Sequence, residues 1–492
     1  MAEIARLAGQ SRATVGNWKA RNPEDFPRER GHSGRGPLYD RAEVVAWLEA
    51  TNRLDSRPPE VTAIWNLAAA FRDEMSTEDA MRMLLVLLAV MAKASSSEWE
   101  QLVRADGADL GNIFRDCALS LFPFAADLLP GRELPDRSMA QAIWTLSSLD
   151  RARVAIIADA LLEHAANAMG HRGGEFLCPP SVRKLIVAIA QPAGTVYNPA
   201  TGAGQLMVDA AAGDSSRVSR LVGQEINSRI WAMSQLILAI HGIDAQVAVG
   251  DVFGADRFPE LRADRVVAVP PWNQRLPIVE QLVEDPRWIW GEPSANDGNA
   301  AWMQHCLAHL AEGGRAVIVL PKGALFEGGR AGRIRQRIVK AGLLDAVIAL
   351  PSGLFAWSAV PCAMLVFVKG RASIDGKPAP TLMVELTESG DTQRGRRTTL
   401  PDPLIDEVGA LYREWVDGDH PTAPYAAVAS FDDLAANEFV IDPGRYLPLQ
   451  DVAPDIAKAK RRRAQLVEQL AALTKATHDA DAQLQAILET RR

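Results

Sequence analysis

Cysteine is scarce: four in 492 residues, Cys117, Cys178, Cys306 and Cys362, and no two of them form a C-x-x-C pair. That scarcity excludes a disulfide framework and a cysteine-rich zinc site, and predicts buried free thiols. The eight histidines show no ligand spacing either; His305 in "AWMQHCLAHL" reads as a helix-face residue, and no metal is expected. Long apolar runs are missing, since "MRMLLVLLAVMAKA" falls short of the ~20 residues of a membrane span. The opening "MAEIARLAGQSRATV" lacks the basic-then-apolar plan of a secretory leader, so a cytoplasmic protein with no membrane partner is expected. Excess positive charge is absent as well, because the net charge is -8. Indiscriminate coating of nucleic acid is thereby excluded, and any DNA contact must be local. Two basic stretches are candidates, the first forty residues and "KAKRRR" at Lys458 to Arg463.

What is present divides into four parts. Residues 1–55 combine a short amphipathic helix, a "GQS" turn, and Ser11 as the N-cap of "RATVGNWKAR". A glycine-rich basic segment, "FPRERGHSGRGPLYD", and a closing helix, "RAEVVAWLEA", follow. The whole resembles the winged helix–turn–helix domains of transcription regulators and excisionases. That likeness implies double-stranded DNA contact through Arg12, Thr14, Asn17 and Lys19 on the second helix and Arg35 in the wing. The alternative is a small helical cap that packs on its neighbour. Residues 56–172 carry helical apolar repeats such as "EDAMRMLLVLLAVMAKA" and "ARVAIIADALLEHAANAM", without chemistry of their own. Residues 449–492 place Leu466, Leu470, Leu473, Thr477, Ala480, Leu484 and Ile487 at alternating spacings of four and three. This coiled-coil seam needs a partner helix, within the chain or on another subunit.

Between them, residues 173–448 alternate β-rich runs with helical stretches. The seven runs are "TVYN", "SRLVGQEI", "QVAVGD", "RVVAV", "RAVIVLP", "LDAVIALP" and "PCAMLVFVK". Strands separated by helices predict an α/β fold, a doubly wound and mostly parallel sheet of seven strands. "PCAMLVFVK" follows "GLFAWSAVP" too closely for a crossover helix and is expected as an antiparallel edge strand. Ligands of such sheets sit at the carboxyl ends of the strands. There, "VYNPATGAGQLM" ends a strand at Asn198 and turns through Gly202 and Gly204 into a helix. Glycines permit close backbone approach, and a helix N-terminus offers amides to an anion. Alone this G-x-G fits dinucleotide enzymes about as well. Glu225 ends the next strand, where an acid can accept from ribose hydroxyls, and Asp251 ends the one after. Finally "DRVVAVPPWNQR" stops a strand at Pro270 and Pro271 and then presents Trp272. A rigid turn beside an aromatic face suits a planar base drawn out of a duplex.

The ordered blocks "GGEFLCPPSV", "VYNPATGAGQLM", "GQEINSRIWAMSQLILAIHGI", "GDVF", "VPPWN", "AWMQHCLAHLAEGGRAVIVLPKGALF" and "NEFVIDPGRYL" carry a specific resemblance. Together they are similar to the amino-group DNA methyltransferases, above all the modification subunits of type I restriction–modification systems. The resemblance implies S-adenosylmethionine as methyl donor and the N6 amine of adenine in DNA as acceptor. It also implies a C-terminal helix that docks on a specificity subunit, with self-association through that helix as the other option. Carried onto this chain, Phe176 and Pro179 would pack behind the cofactor, with Gly202 and Gly204 facing its methionine part. Glu225 would hold the ribose and Asp251 the adenine amine, while Pro270 and Trp272 would hold the target base.

The chain departs from that pattern at two places. Where the family carries an acid in the glycine loop, this chain has Asn198, which holds the donor's ammonium less well. Where the family has Asn, Asp or Ser ahead of the prolines, this chain has Val269. That position supplies a side-chain acceptor to the adenine amine, and valine has none; Asn273 lies beyond the aromatic and is not expected to replace it. Two readings therefore stay open. One is an N6-adenine DNA methyltransferase; the other is a silent homologue acting as a DNA-binding scaffold or regulator in modification or phage defence.

Overall fold

The computed structural model describes residues 4–5, 8, 12–21, 25–33, 36–51, 71, 74–105, 110–130, 134, 136–147, 149–169, 176–213, 216–276, 285–392, 398–420 and 422–448. The C-terminal heptad seam and Arg35 lie outside these residues.

Helix α1 (Arg12–Arg21) precedes an antiparallel hairpin of β1 (Glu29–Ser33) and β2 (Gly36–Tyr39), and α2 (Arg41–Ala50) follows. These elements enclose a small core of their own: Val15, Phe26, Val44 and Leu48 are buried, with Trp18, Tyr39 and Trp47 at its margin. Lys19 Nζ donates to the Tyr39 hydroxyl at 2.8 Å and lies 3.3 Å from the Glu29 carboxylate. Its ammonium therefore fastens the hairpin to α1. Asn17 is exposed and Thr14 half-buried on the same helix, which Arg12 opens.

A helical layer follows: α3 (Thr77–Lys93), α4 (Ser96–Arg104), α5 (Leu110–Leu121), α6 (Asp136–Ser147) and α7 (Val154–Met169). Ser76 caps α3 by accepting from the Asp79 amide, and Glu78 and Asp79 complement the helix dipole there. The apolar run inside α3 leaves nothing for solvent: Met83 to Val90 is buried throughout. A helix apolar on all sides belongs in an interior, and α3 is the axis of this layer.

Next comes the α/β unit, with α8 (Pro180–Ala190), β3 (Gly194–Asn198), α9 (Gln205–Ala212), β4 (Val218–Glu225), α10 (Ser228–Ile240), β5 (Gln246–Val249) and β6 (Ala263–Ala268). It continues through α11 (Gly298–Ala308), β7 (Leu310–Pro321), α12 (Gly329–Lys340), β8 (Leu344–Ala349), β9 (Cys362–Val368) and β10 (Thr381–Glu385). A short pair, β11 (Asp391–Thr392) and β12 (Thr398–Thr399), precedes α13 (Asp402–Asp417), β13 (Ala426–Ala429) and α14 (Phe431–Ala436).

The main sheet has nine strands in the order β13-β10-β8-β9-β7-β6-β3-β4-β5, not the seven expected. The two extra strands, "TLMVE" and "AAVA", extend the sheet beyond β8, β10 parallel to it and β13 antiparallel to β10. β9 is antiparallel as expected, but it is no edge: it pairs with β7 on one side and β8 on the other. Its run "CAMLVFV" is buried at every position but the last, the signature of a strand covered on both faces. Successive residues of β7 serve opposite cores. Val317 and Val319 join one, while Ala316, Ile318 and Leu320 join the other. No helix among the described residues is long and apolar enough to cross a membrane.

Candidate functional site

Strands β3, β4, β5 and β6 are mutually parallel, so their carboxyl ends share one edge. A cavity of about 300 Å³ opens at that edge. Its wall includes Phe176, Asn198, Gly202, Glu225, Asp251, Val269 and Pro271, which the sequence had singled out. Pro179, Gly204, Pro270 and Trp272 do not line it.

The glycine loop shows why. Gly202 adopts φ +55°, and a Cβ built on it would lie 2.5 Å from the Phe176 carbonyl oxygen. Only glycine allows the Phe176 segment to cross so near, and Ala203 N–H donates to that same carbonyl at 3.2 Å. Gly204 faces the other way. Its absent Cβ would stand 3.1 Å from Ser234 Cβ on α10, so this glycine serves helix packing. Asn198 is buried, and its Oδ1 accepts from the Ala200 amide at 3.1 Å, which shapes the loop from within.

Glu225 ties the loop to the second strand. Its Oε2 accepts from the Gly202 amide at 2.9 Å and its Oε1 from the Asn227 amide at 3.0 Å. Each carboxylate oxygen keeps a further lone pair for a ligand hydroxyl. Burial holds this carboxyl above the usual glutamate range, partly offset by the amides of Asn227, Gly202 and Ile226. Asp251 Oδ1 accepts from the Phe253 amide at 3.0 Å, which leaves its other oxygen for a partner. Together these residues fit a nucleoside: a close-packed glycine turn, a half-buried acid for hydroxyls and a second acid for an exocyclic amine.

Trp272 departs from the expected placement. Its indole N–H donates to the Val319 carbonyl at 3.1 Å, and its ring packs against Phe355 and Trp357, with centroids 4.8 and 4.6 Å away. The proline turn thus reaches the cavity through Val269 and Pro271, while the aromatic turns toward the core beside it. Asn273, at φ +53°, is bound to Asn299 by two hydrogen bonds of 3.1 and 2.9 Å. Its side chain is committed to α11 and does not stand in for an acceptor at Val269.

Sequence reasoning missed a buried hub beneath the site. Arg287 donates to the carbonyls of Val252 (2.6 Å) and Phe253 (3.3 Å), to Asp285, and to His305 Nδ1 at 2.8 Å. His305 lies on a helix face as expected, but that face is turned inward: it is fully buried on α11, and its Nε2 lies 3.2 Å from the Tyr197 hydroxyl. Burial, then His309 and Arg287, hold its pKa well below the usual imidazole range. A neutral ring that accepts at Nδ1 donates at Nε2, so the tautomer follows from the partners. Among the described residues Asp256, His305 and His309 bring ligand-type atoms within 4.8 Å of one another. The guanidinium already seated on His305 makes this a hydrogen-bonded hub and a poor home for a second cation. Nothing local signalled it, because Arg287, Asp256 and the histidines meet only through the fold.

Comparison with known proteins bears on this geometry. The HindI methylase subunit of a type I restriction enzyme from Haemophilus influenzae is 30% identical over 326 residues, 63% of this chain and 72% of that protein. The MjaIX methylase subunit of a type I restriction enzyme from Methanocaldococcus jannaschii is 27% identical over 294 residues, 56% of this chain and 52% of that one. In fold, the chain resembles the type I restriction–modification methyltransferase subunit from Streptococcus thermophilus. The TM-score is 0.65 at 20% identity, over 79% of this chain and 99% of that one. Residues 153–454 match the profile described as N-6 DNA methylase, a span holding the whole cavity and more than half the sequence. The chain belongs to the N-6 DNA methylase family.

Proposed function

We propose that this protein transfers a methyl group from S-adenosylmethionine to the N6 amine of adenine in DNA, as the modification subunit of a type I-like system in the cytoplasm. The observation that carries the reading is a single cavity that joins Gly202, Glu225 and Asp251 to the Val269–Pro271 turn. When bound, S-adenosylmethionine supplies an electrophilic sulfonium methyl. Glu225 holds the ribose hydroxyls, Asp251 accepts from the cofactor's adenine amine, and the close-packed turn at Gly202 keeps the methionine part against Phe176. On the acceptor side, a backbone carbonyl of the Val269–Pro271 turn would accept one N–H hydrogen bond from the target amine, which leaves the nitrogen lone pair to face the methyl.

The N-terminal module supports a winged helix–turn–helix reading, with Asn17 and Arg12 on the DNA-facing helix and Lys19 serving the hairpin. The C-terminal heptads suit a helix from a specificity subunit or a second copy. One alternative has its own support: Val269 offers no side-chain acceptor, and the Trp272 ring is packed at a tilt against Trp357. Both favour a silent homologue that binds DNA as a scaffold.

The test is transfer of a labelled methyl group from the cofactor to genomic DNA, run beside calorimetric titration with S-adenosylhomocysteine. Transfer establishes the enzyme. Cofactor binding without transfer establishes the silent reading, and absence of both overturns the two together.

A further inference from the structure

Gln274 is the one cavity residue that contributes a side-chain amide from the far side of the proline turn. Its backbone is locked. A Cβ on Gly298 would lie 2.1 Å from the Gln274 carbonyl oxygen, so α11 begins in direct contact with this residue. On one side Asn273 is held by Asn299, and on the other the Leu276 amide donates to the Ala295 carbonyl at 2.8 Å.

The side chain is fixed as well. Trp302 Nε1 lies 3.2 Å from Gln274 Oε1. An indole nitrogen only donates, so the atom facing it must be the amide oxygen. The amide nitrogen, with two hydrogens, is then left for the cavity, and among the described residues it has no partner. Trp302 also locates this amide along the cavity. Its ring packs edge-on to Phe253 at 4.9 Å, and Phe253 donates to Asp251. Through Trp302 and Phe253, Gln274 is thus linked to the turn that carries Asp251.

We infer that Gln274 reads the cofactor's base, its Nε2 donating to adenine N1 while Asp251 accepts from the neighbouring 6-amino group. Donor beside acceptor matches adenine and opposes hypoxanthine or guanine, whose corresponding edge has the reverse pattern. Trp302 is a positioning residue that keeps the amide from flipping. The inference rests on the nucleoside reading of the cavity and adds the residue that selects the base.

The test compares S-adenosylhomocysteine with its 1-deaza analogue, which lacks only the N1 acceptor, by calorimetry on the native chain and on Gln274→Ala. On the native chain the deaza change is expected to weaken binding by about fivefold to tenfold, the worth of one neutral hydrogen bond. On Gln274→Ala that difference should shrink to near unity. A misfolded variant would lose both ligands alike, so the ratio isolates the contact. Trp302→Phe, which removes the indole donor and keeps an aromatic ring, should reduce the ratio part of the way. An equal deaza penalty on native and variant chains overturns the inference while leaving the cofactor reading intact. Failure of the native chain to bind S-adenosylhomocysteine overturns both.

Discussion

The ring of Trp272 lies with its centroid 4.6 Å from that of Trp357, and Phe355 closes the group at 4.8 Å from Trp272. Inserting a base between two rings requires them to stand about 7 Å apart, two van der Waals contacts of ~3.5 Å each. The Trp272–Trp357 face is thus filled by the chain's own indole. Trp357→Ala should uncover it. Base–aromatic stacking is worth about 1–3 kcal/mol, so the variant should prefer DNA with mismatched adenines over fully paired DNA by at least about fivefold more than the native chain. Competition titrations with the two duplexes measure this. Equal preference would mean that Trp272 never meets a base.

Val269 borders the same cavity as Gly202 and Asp251, at the point where β6 gives way to the proline turn. An amine reaching this turn would then find a backbone carbonyl as its first acceptor and no side-chain oxygen as a second. Supplying the second with Val269→Asn should raise methyl transfer by about a hundredfold to a thousandfold, the usual worth of one preorganised hydrogen-bonding group. S-adenosylhomocysteine affinity should stay put, because the substitution acts on the acceptor side. Transfer of labelled methyl to DNA under saturating cofactor is the measurement. An unchanged rate would place the amine elsewhere.

Much of the architecture was legible because it is written locally. Glycines at the first strand end, acids at the next two and a proline pair at the fourth mark a sheet edge in the sequence itself. The direction of β9 was legible too, since no crossover helix fits before it. Its position was not: insertion between β7 and β8 depends on pairing with strands on both sides, and the unbroken apolar run was the available clue. "AAVA" in β13 is too short and too rich in alanine to declare itself a strand. Trp272 was misplaced for a similar reason. A tryptophan after two prolines suits a stacking platform or a core, and only its meeting with Trp357 and Val319, distant in sequence, decides. Arg287 and Gln274 escaped because their partners are assembled by tertiary contact alone.

Glu225 gives the site a pH signature. Its carboxyl titrates above the usual glutamate range because it is buried, against the pull of the Asn227, Gly202 and Ile226 amides. Between the unfolded and folded pKa values the folded chain therefore holds the extra proton. Stability of the ligand-free chain is greatest below the unfolded value and declines as pH rises through the folded one. Ribose binding runs the opposite way, since the anion is the stronger acceptor for hydroxyl groups. Affinity for S-adenosylhomocysteine should fall on acidification before an ordinary glutamate would protonate, while the free chain's melting temperature rises over the same interval. Calorimetry and thermal unfolding in parallel buffers check both signs, and parallel movement of the two would exclude Glu225 as the titrating group.

Arg287 should govern the Asp251–Phe253 turn without touching a ligand. Its guanidinium joins the Val252 and Phe253 carbonyls to Asp285, whose side chain is only 8% exposed. Removing the charge with Arg287→Met would strand that carboxylate in the interior, a loss of about 3–5 kcal/mol. Arg287→Lys is the sharper probe. A lysine ammonium keeps the charge beside Asp285, yet it has neither the reach nor the forked geometry to serve both carbonyls and His305 Nδ1. The folded state should survive with a modest drop in melting temperature, whereas the turn that aims Asp251 loses its brace. Because Asp251 is assigned to the 6-amino group, the weakening should be confined to ligands that carry that amine. S-adenosylhomocysteine should bind less tightly to Arg287→Lys, and its 6-oxo counterpart should bind as it does to the native chain. A uniform loss for both nucleosides would reduce Arg287 to a general support of the fold.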